Sequence, residues 1–288
     1  MISKNYALLF SGLGSQKSAS GKFLYKKSCV AREIYDIAGD EIKHLCLDAG
    51  DEEMKDHYNA TVSIYTSSVA QYRHFVNEYK VLPAAVAGLS LGEFSALAIA
   101  DVFSFKDGLE LVKKSSKLMQ QMAQETPQGM VAVSGIRLPA VMEAISQCRG
   151  ENCLQLAVVS GPEFVTIAGE MMAIDRLKNY LNSRKVQHFM ISENVATHSD
   201  LMIKVGDKVL NWLHEMQINE PKFPVISNLI GKPHEIQSLR KNLAKMICSP
   251  VSWQKSLLGL KAMGIEQFYK ISPEGTLINR EQRTPQRL

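Results

Sequence analysis

Short apolar runs alternate with longer amphipathic stretches along the chain. Tyr6–Phe10 and a second run over 81–87 are apolar and lie next to glycine-bearing turns, which predicts two buried β-strands. Apolar residues at helical spacing predict helices over 26–49, 63–79, 91–100 and 106–124. This alternation predicts an α/β fold with a mainly parallel sheet.

The pattern changes in the middle of the chain. The predicted strands there cover 129–136, 153–159, 164–169 and 188–191, and the predicted helices cover 138–147 and 172–184. This β-α-β-β-α-β order is typical of a ferredoxin-like unit. The α/β pattern then resumes, with helices predicted over 199–216 and 236–245 and strands over 224–228 and 268–271. The polar end of the chain, 279–288, is predicted to be disordered.

Composition narrows the class of protein. With 45% apolar and 22% charged residues, the chain can bury a sizeable core, and its net charge of +4 is too small to indicate nucleic-acid binding. The five cysteines form no CxxC pair, so we expect reduced thiols in a cytoplasmic protein. The apolar window over 84–105 contains glycines and acidic residues, which favours a strand-turn-helix over a membrane span. No phosphate loop, metal-ligand cluster or dinucleotide fingerprint occurs, so neither a metal nor a cofactor is predicted.

The strongest chemical signal is a GxSxG motif over 88–92, placed between a predicted strand and a predicted helix. This is the setting of a nucleophile elbow, in which the glycines allow a tight turn and Ser90 lies at a helix N-terminus. The positive end of the helix and its free N–H groups would stabilise an oxyanion. The alternative interpretation is a turn of small residues that lets a helix pack on a sheet, which would have the same sequence motif. Glu93 has capping-box spacing from Ser90 and is expected to bind backbone N–H groups.

A nucleophilic serine needs a base, and the chain has seven histidines. Those with charged or turn-forming neighbours are expected at the surface: His44, His57, His74 and His234. His198 stands just before a predicted helix, in a loop that could reach Ser90. The residue pattern alone does not select one histidine.

Six ordered segments then point to a family. They are 10–16 (FSGLGSQ), 88–94 (GLSLGEF), 129–133 (GMVAV), 198–202 (HSDLM), 224–228 (PVISN) and 268–273 (FYKISP). Together they resemble the malonyl-CoA:acyl-carrier-protein transacylase family, which includes acyltransferase domains of polyketide synthases. The resemblance implies an α/β-hydrolase-like large domain, formed by 1–126 and 196–288, with an inserted ferredoxin-like subdomain over 127–195.

The resemblance also implies roles for individual residues. Ser90 matches the acylated nucleophile and His198 the general base of a ping-pong reaction, in which the partners are acyl-CoA and the phosphopantetheine arm of an acyl carrier protein. The backbone N–H groups of Leu13 and Leu91 would bind the oxyanion. A backbone carbonyl orients the histidine in this family, and Ser252 is the matching position here.

The residues expected around the acyl group depart from the family pattern. Ser115 stands where the family has the arginine that binds the malonyl carboxylate, and a serine cannot form that bidentate pair. The neighbouring Lys114 and Lys117 are offset by helical rotation, so neither naturally points the same way, and the alternative is that one of these lysines bends in to replace the arginine. Thr197 stands where malonyl-selective members of the family usually have phenylalanine, so we expect room for a larger acyl group. Five further positions near the acyl site lose polarity or donor capacity relative to the family pattern: Leu13, Leu89, Thr61, Val158 and Ser160.

These departures predict an uncharged acyl group on Ser90. The acyl group would pass to another thiol, which makes the chain an acyltransferase, or to water, which makes it an editing hydrolase of acyl carrier protein. Two alternatives remain open: an ordinary malonyl transacylase that uses another cation, and an inactive scaffold that binds the carrier protein. Retention of Ser90 and His198 argues against the scaffold. The excess of basic over acidic residues is equally consistent with docking of an acidic carrier protein and with an ordinary solvent-exposed face.

Overall fold

The computed structural model describes residues 5–191, 195–272 and 278–279. The strands are Tyr6–Phe10 (β1), Ala85–Gly88 (β2), Gln128–Ser134 (β3), Leu154–Gly161 (β4), Phe164–Glu170 (β5), Gln187–Met190 (β6), Val225–Ile226 (β7), Val251–Ser252 (β8), Gln267–Ile271 (β9) and Ile278–Asn279 (β10). The α-helices are Lys22–Lys27 (α1), Cys29–Ala38 (α2), Asp40–Leu47 (α3), His57–Tyr79 (α4), Leu91–Ile99 (α5), Phe105–Glu125 (α6), Leu138–Arg149 (α7), Met171–Ser183 (α8), Ile203–Glu215 (α9), Ile236–Ile247 (α10) and Trp253–Ala262 (α11). None of these helices is long and apolar enough to cross a membrane.

The larger sheet has the strand order β10-β9-β1-β2-β7. All its pairings are parallel except β10 with β9. Strand β1 alternates between the two faces: Leu8 and Phe10 join the main core, whereas Ala7 and Leu9 pack in a smaller cluster with α11. Because parallel strands end at the same edge, the turns after β1, β2 and β7 meet there, and ligands bind at this edge in open α/β sheets.

The helices before β2 differ from the sequence prediction. The single helix expected over 26–49 is three helices, because the backbone is extended at Ser28, whose hydroxyl accepts a hydrogen bond from the Ala31 N–H, and Gly39 has φ 90°. The helix predicted from residue 63 begins earlier, at His57, because the Asp56 carboxylate caps it through the Asn59 N–H.

The second sheet has the order β6-β3-β5-β4-β8. Its first four strands come from 128–190 and pair antiparallel in the order of a ferredoxin-like unit, with α7 and α8 packed on one face. Met130, Ala157 and Ala168 join the main core from the other face. Strand β8 extends this sheet from outside the insertion, in parallel with β4.

The predicted fold class is confirmed: a large α/β part with a mainly parallel sheet carries a smaller ferredoxin-like one. The domain boundaries at 127 and 195 stay a prediction. The disorder predicted for 279–288 falls, from residue 280 onward, outside the described residues.

Candidate active site

Ser90 occupies the sharp turn between β2 and α5. Its backbone has φ 53° and ψ −113°, a conformation that non-glycine residues rarely adopt and that a nucleophile elbow requires. A Cβ at Gly88 would overlap the Gly92 carbonyl, and a Cβ at Gly92 would overlap the Phe10 carbonyl. Both glycines of the motif are therefore required by close backbone contacts, which is more than a generic small-residue turn explains.

The elbow brings Ser90 to His198. Ser90 Oγ lies 2.8 Å from His198 Nε2. The His198 backbone N–H donates to the Ile247 carbonyl at 2.8 Å, and Nδ1 lies 2.7 Å from the Met246 carbonyl oxygen. Since a carbonyl only accepts, Nδ1 carries the proton and Nε2 is the acceptor for the serine hydroxyl.

The carbonyl that orients His198 was predicted wrongly. It belongs to Met246 and not to Ser252, whose carbonyl accepts a bond from Ser256 Oγ at 3.3 Å and whose hydroxyl caps α11. The physical reason is that Met246 and Ile247 are the last residues of α10, and the last carbonyls of a helix have no partner within it. The negative end of α10 also favours positive charge on the imidazole when it takes a proton.

His198 is fully buried, and burial lowers the pKa of its imidazole to about 4, an effect that the bond to the Met246 carbonyl only partly opposes. The ring is therefore neutral at physiological pH. A neutral Nε2 at hydrogen-bond distance from a serine hydroxyl is the arrangement that general-base catalysis requires.

A buried polar network, which sequence reasoning missed, supports the elbow from the turn after β7. The Asn228 side chain accepts from the Ser90 N–H and donates to the Gly88 carbonyl, both at 2.6 Å. The Glu93 carboxylate accepts from the Asn228 N–H and from His234 Nε2, both at 2.7 Å. The expectation that His234 is exposed was wrong, because its ring is fully buried against Glu93. Glu93 does bind a backbone N–H, but one on the neighbouring strand's turn and not in its own helix.

The proposed oxyanion donors lie beside Ser90. Leu91 begins α5, so its N–H is one of the four that a helix leaves without an internal partner. Leu13 lies in the turn after β1, which is held against the elbow where Gly12 approaches the Leu89 carbonyl. Both residues line the cavity at Ser90. Their roles stay predictions.

A small cavity of about 40 Å³ adjoins Ser90 and His198. Thr61, Ser115 and Thr197, which the sequence assigned to the pocket, line it. Leu89, Val158 and Ser160 do not: Leu89 packs between core clusters, and the other two lie in β4, where Val158 pairs with Val251. The remaining lining residues are Leu13, His57, Leu91, Phe94, Val112, Ser116, Met119, Met246 and Ile247.

No lysine or arginine is among these lining residues, all of which the structure describes. Lys114 Nζ lies 5.7 Å from the centre of the Trp212 ring, and Lys117 Nζ lies 4.9 Å from the centre of the Tyr58 ring. Ser115 is buried, and its hydroxyl bonds the Val112 carbonyl at 3.1 Å. The two lysines that the sequence offered as substitutes for an arginine are therefore engaged with aromatic rings.

His57 was expected at the surface, but only 5% of it is exposed and it lines the cavity. Its charged neighbours Lys55 and Asp56 suggested a surface position, whereas packing of the first turn of α4 buries the ring. No hydrogen-bond partner for either ring nitrogen occurs in the described part of the chain.

Ser90 lies in a strained strand-to-helix turn and is hydrogen-bonded to a buried, neutral histidine at the edge of a parallel sheet. These features are typical of α/β proteins that transfer acyl groups through a serine. The profile of the family described as Acyl transferase domain matches residues 7–287. The chain belongs to this family and is an acyltransferase of the malonyl-CoA:acyl carrier protein transacylase type.

Similar proteins agree with this assignment. The chain is 29% identical over 272 residues to "Polyketide biosynthesis malonyl CoA-acyl carrier protein transacylase PksC" of Bacillus subtilis, covering 93% of both chains. It matches the crystal structure of malonyl-CoA:acyl carrier protein transacylase (FabD) from Xanthomonas oryzae with a TM-score of 0.89 and 26% identity, covering 95% of this chain and 89% of that one. A type II polyketide synthase acyl-carrier protein in complex with its malonyl-transacylase also matches, with a TM-score of 0.89, 26% identity and coverage of 93% and 89%.

Proposed function

We propose that the chain moves a short, uncharged acyl group from a thioester of CoA or acyl carrier protein through an ester on Ser90. The observation that carries this proposal is the cation-free lining of the cavity at Ser90. A carboxylate placed there would lose its hydration without gaining a positive partner, which is strongly unfavourable. An uncharged acyl chain meets no such penalty.

The first half-reaction uses the geometry of Ser90 and His198. Nε2 takes the proton from the serine hydroxyl while Oγ attacks the thioester carbonyl carbon. The carbonyl oxygen becomes an oxyanion, which the N–H groups of Leu91 and Leu13 stabilise. When the tetrahedral intermediate collapses, the carbon–sulfur bond breaks, the leaving thiolate takes the proton from His198, and the acyl-Ser90 ester remains.

The second half-reaction consumes this ester. His198 takes the proton of an acceptor, the acceptor attacks the ester carbonyl, and the proton returns to Ser90 as the alcohol leaves. A carrier-protein thiol as acceptor gives transfer, and water gives hydrolysis. The match to a carrier-protein complex of a malonyl-transacylase supports acyl carrier protein as the partner here.

The size of the cavity supports a short acyl group. The cavity at Ser90 is small, with a volume of about 40 Å³, which favours a short chain over the larger acyl group that Thr197 suggested in the sequence. Thr197, which precedes the catalytic histidine, lines the cavity with its hydroxyl 3.4 Å from Met130 Sδ. Phe94, Val112 and Met119 add apolar surface. This lining suits an acyl chain of a few carbons.

The test is a set of steady-state assays with acetyl-, butyryl- and malonyl-loaded carrier protein, each with and without a second carrier as acceptor. We expect acetyl or butyryl turnover to exceed malonyl turnover. Free acid released faster than acyl is transferred identifies the hydrolase. Fast malonyl transfer would identify an ordinary malonyl transacylase and overturn the proposal.

An inactive scaffold that binds the carrier protein is the remaining alternative. The 2.8 Å contact between Ser90 and a neutral His198 argues against it. A fluorophosphonate probe that labels wild type and not Ser90→Ala would exclude the scaffold, whereas an unlabelled wild type would support it.

A further inference from the structure

His57 is the feature of the cavity that the mechanism above does not use. It is the first residue of α4, is 5% exposed and lines the same cavity as Ser90. Neither Nδ1 nor Nε2 has a hydrogen-bond partner among the residues that the structure describes. Buried polar groups are normally paired, so an unpaired ring facing a substrate cavity points to a partner on the substrate.

The other polar side chains of the cavity are already bonded. Thr61 Oγ1 donates to the His57 carbonyl at 2.6 Å, and Ser115 and Ser116 donate to carbonyls of their own helix at 3.1 and 3.2 Å. Ser90 and His198 bond each other. Of the polar side chains that line the cavity, His57 alone has polar atoms without a partner in the described chain.

The state of the ring indicates what kind of group it would bind. Burial lowers the pKa of His57 to about 4, against a smaller opposite effect of Asp56, so the ring is neutral. The Asp56 carboxylate itself caps α4 and accepts from Gln120 Nε2 at 2.7 Å. A neutral imidazole offers one donor and one acceptor, which suits an uncharged oxygen such as a hydroxyl or a ketone.

We propose that His57 hydrogen-bonds an oxygen substituent of the acyl chain, so that short hydroxyacyl or oxoacyl thioesters are preferred over the plain alkanoyl thioesters of the same length. This inference rests on the proposed function, because it concerns the chain that is esterified to Ser90. It makes His57 a specificity-determining residue and leaves bond making and breaking to Ser90 and His198.

The experiment measures the acylation rate of Ser90 by intact mass spectrometry with CoA thioesters. Butyryl-CoA is compared with 3-hydroxybutyryl-, 4-hydroxybutyryl- and 3-oxobutyryl-CoA, which separates the hydroxyl from the ketone and one hydroxyl position from another. We expect wild type to favour at least one oxygenated chain by about tenfold, the effect of one hydrogen bond in a buried site. His57→Phe should abolish this preference, measured within each variant as the ratio of the oxygenated-chain rate to the butyryl rate, and His57→Gln, which keeps a donor and an acceptor, should restore part of it.

The controls separate this inference from the proposed function. His44→Phe changes a histidine whose ring is half exposed and paired with Glu53 at 3.1 Å, and it should keep the wild-type preference. Equal rates for butyryl and all oxygenated chains in wild type, or a preference that survives in His57→Phe, would overturn the role of His57 and leave the proposed function standing. Should His57→Phe fail to fold, the same comparison is made with His57→Gln and wild type. Equal wild-type rates for butyryl and all oxygenated chains, or a preference of full wild-type size in His57→Gln, then contradicts the inference. Fast malonyl acylation, or no acylation by any thioester, would instead overturn the proposed function.

Discussion

Replacement of Asn228 by alanine is expected to damage both the stability of the fold and the reactivity of Ser90. The Asn228 side chain is fully buried and spans the elbow, with bonds of 2.6 Å to the Ser90 N–H and to the Gly88 carbonyl. Asn228→Ala removes this partner from the buried Gly88 carbonyl and from the partly buried Ser90 N–H. At about 1–3 kcal/mol for each group, the free energy of unfolding should fall by about 2–6 kcal/mol.

The same two bonds hold Ser90 in its strained conformation at φ 53°. Without them the turn can relax, and Oγ moves away from His198 Nε2. A displacement of about 1 Å costs roughly a hundredfold in rate, so we expect acylation of folded Asn228→Ala to slow by that order. Urea unfolding measures the stability loss, and rapid-quench intact mass spectrometry measures acylation.

Ser227→Ala is the matched control. Ser227 is equally buried in the same turn, but its hydroxyl accepts from the Leu229 N–H at 3.2 Å, and among the described residues it has no hydrogen bond to the elbow. It should lose about 1 kcal/mol of stability and acylate at the wild-type rate. If Asn228→Ala acylated as fast as Ser227→Ala, the argument that Asn228 positions the nucleophile would be refuted.

Three further predictions follow from the cavity and its two buried histidines. Ser115→Arg should speed malonyl acylation of Ser90 by tenfold or more, since a charged hydrogen bond contributes about 1.5–3 kcal/mol. Intact mass spectrometry with malonyl-CoA measures the rate, and an unchanged rate would contradict the argument that the cavity lacks a cation for the malonyl carboxylate. Acylation should fall only as the pH approaches the His198 pKa of about 4, because the base must be neutral, and a pH–rate profile with half-maximal rate near 6.5 would contradict this. His57 and His198 have lowered pKa values of about 4 when folded, so the unfolded chain binds more protons below pH 6.5 and stability falls from there toward pH 4. Each histidine lowers the free energy of unfolding by roughly 1 kcal/mol for each pH unit of acidification in this range. Urea unfolding should therefore show a smaller loss of stability per pH unit for His57→Phe than for wild type, and equal losses would contradict this.

The pattern of apolar residues and the GxSxG motif were sufficient to predict the strand and the turn around Ser90. The predicted and observed first strand coincide at Tyr6–Phe10, and the GxSxG motif lies at a strand-to-helix turn as predicted. The break at Gly39 was missed because the apolar spacing continues across it and the interruption is a matter of backbone conformation. Periodicity reports which residues are apolar, not where the backbone leaves the helix.

The parts of the site that were missed depend on tertiary contacts. The acceptor for His198 is a backbone carbonyl at the end of α10, and any residue type can supply a carbonyl. Asn228 reaches the elbow because β7 pairs with β2, a neighbour relation that spacing along the chain does not reveal. His57 has charged neighbours, yet lies in the first turn of a helix that is buried along most of its length.

The central claim is that Ser90 carries an uncharged acyl group as an ester during turnover. The most direct measurement mixes the protein with equal amounts of butyryl- and malonyl-CoA, quenches it during turnover and locates the adduct by peptide mass spectrometry. A butyryl ester on the peptide that contains Ser90, absent in Ser90→Ala, is the predicted result. A malonyl ester on Ser90, or turnover with no adduct on this residue, would contradict the account.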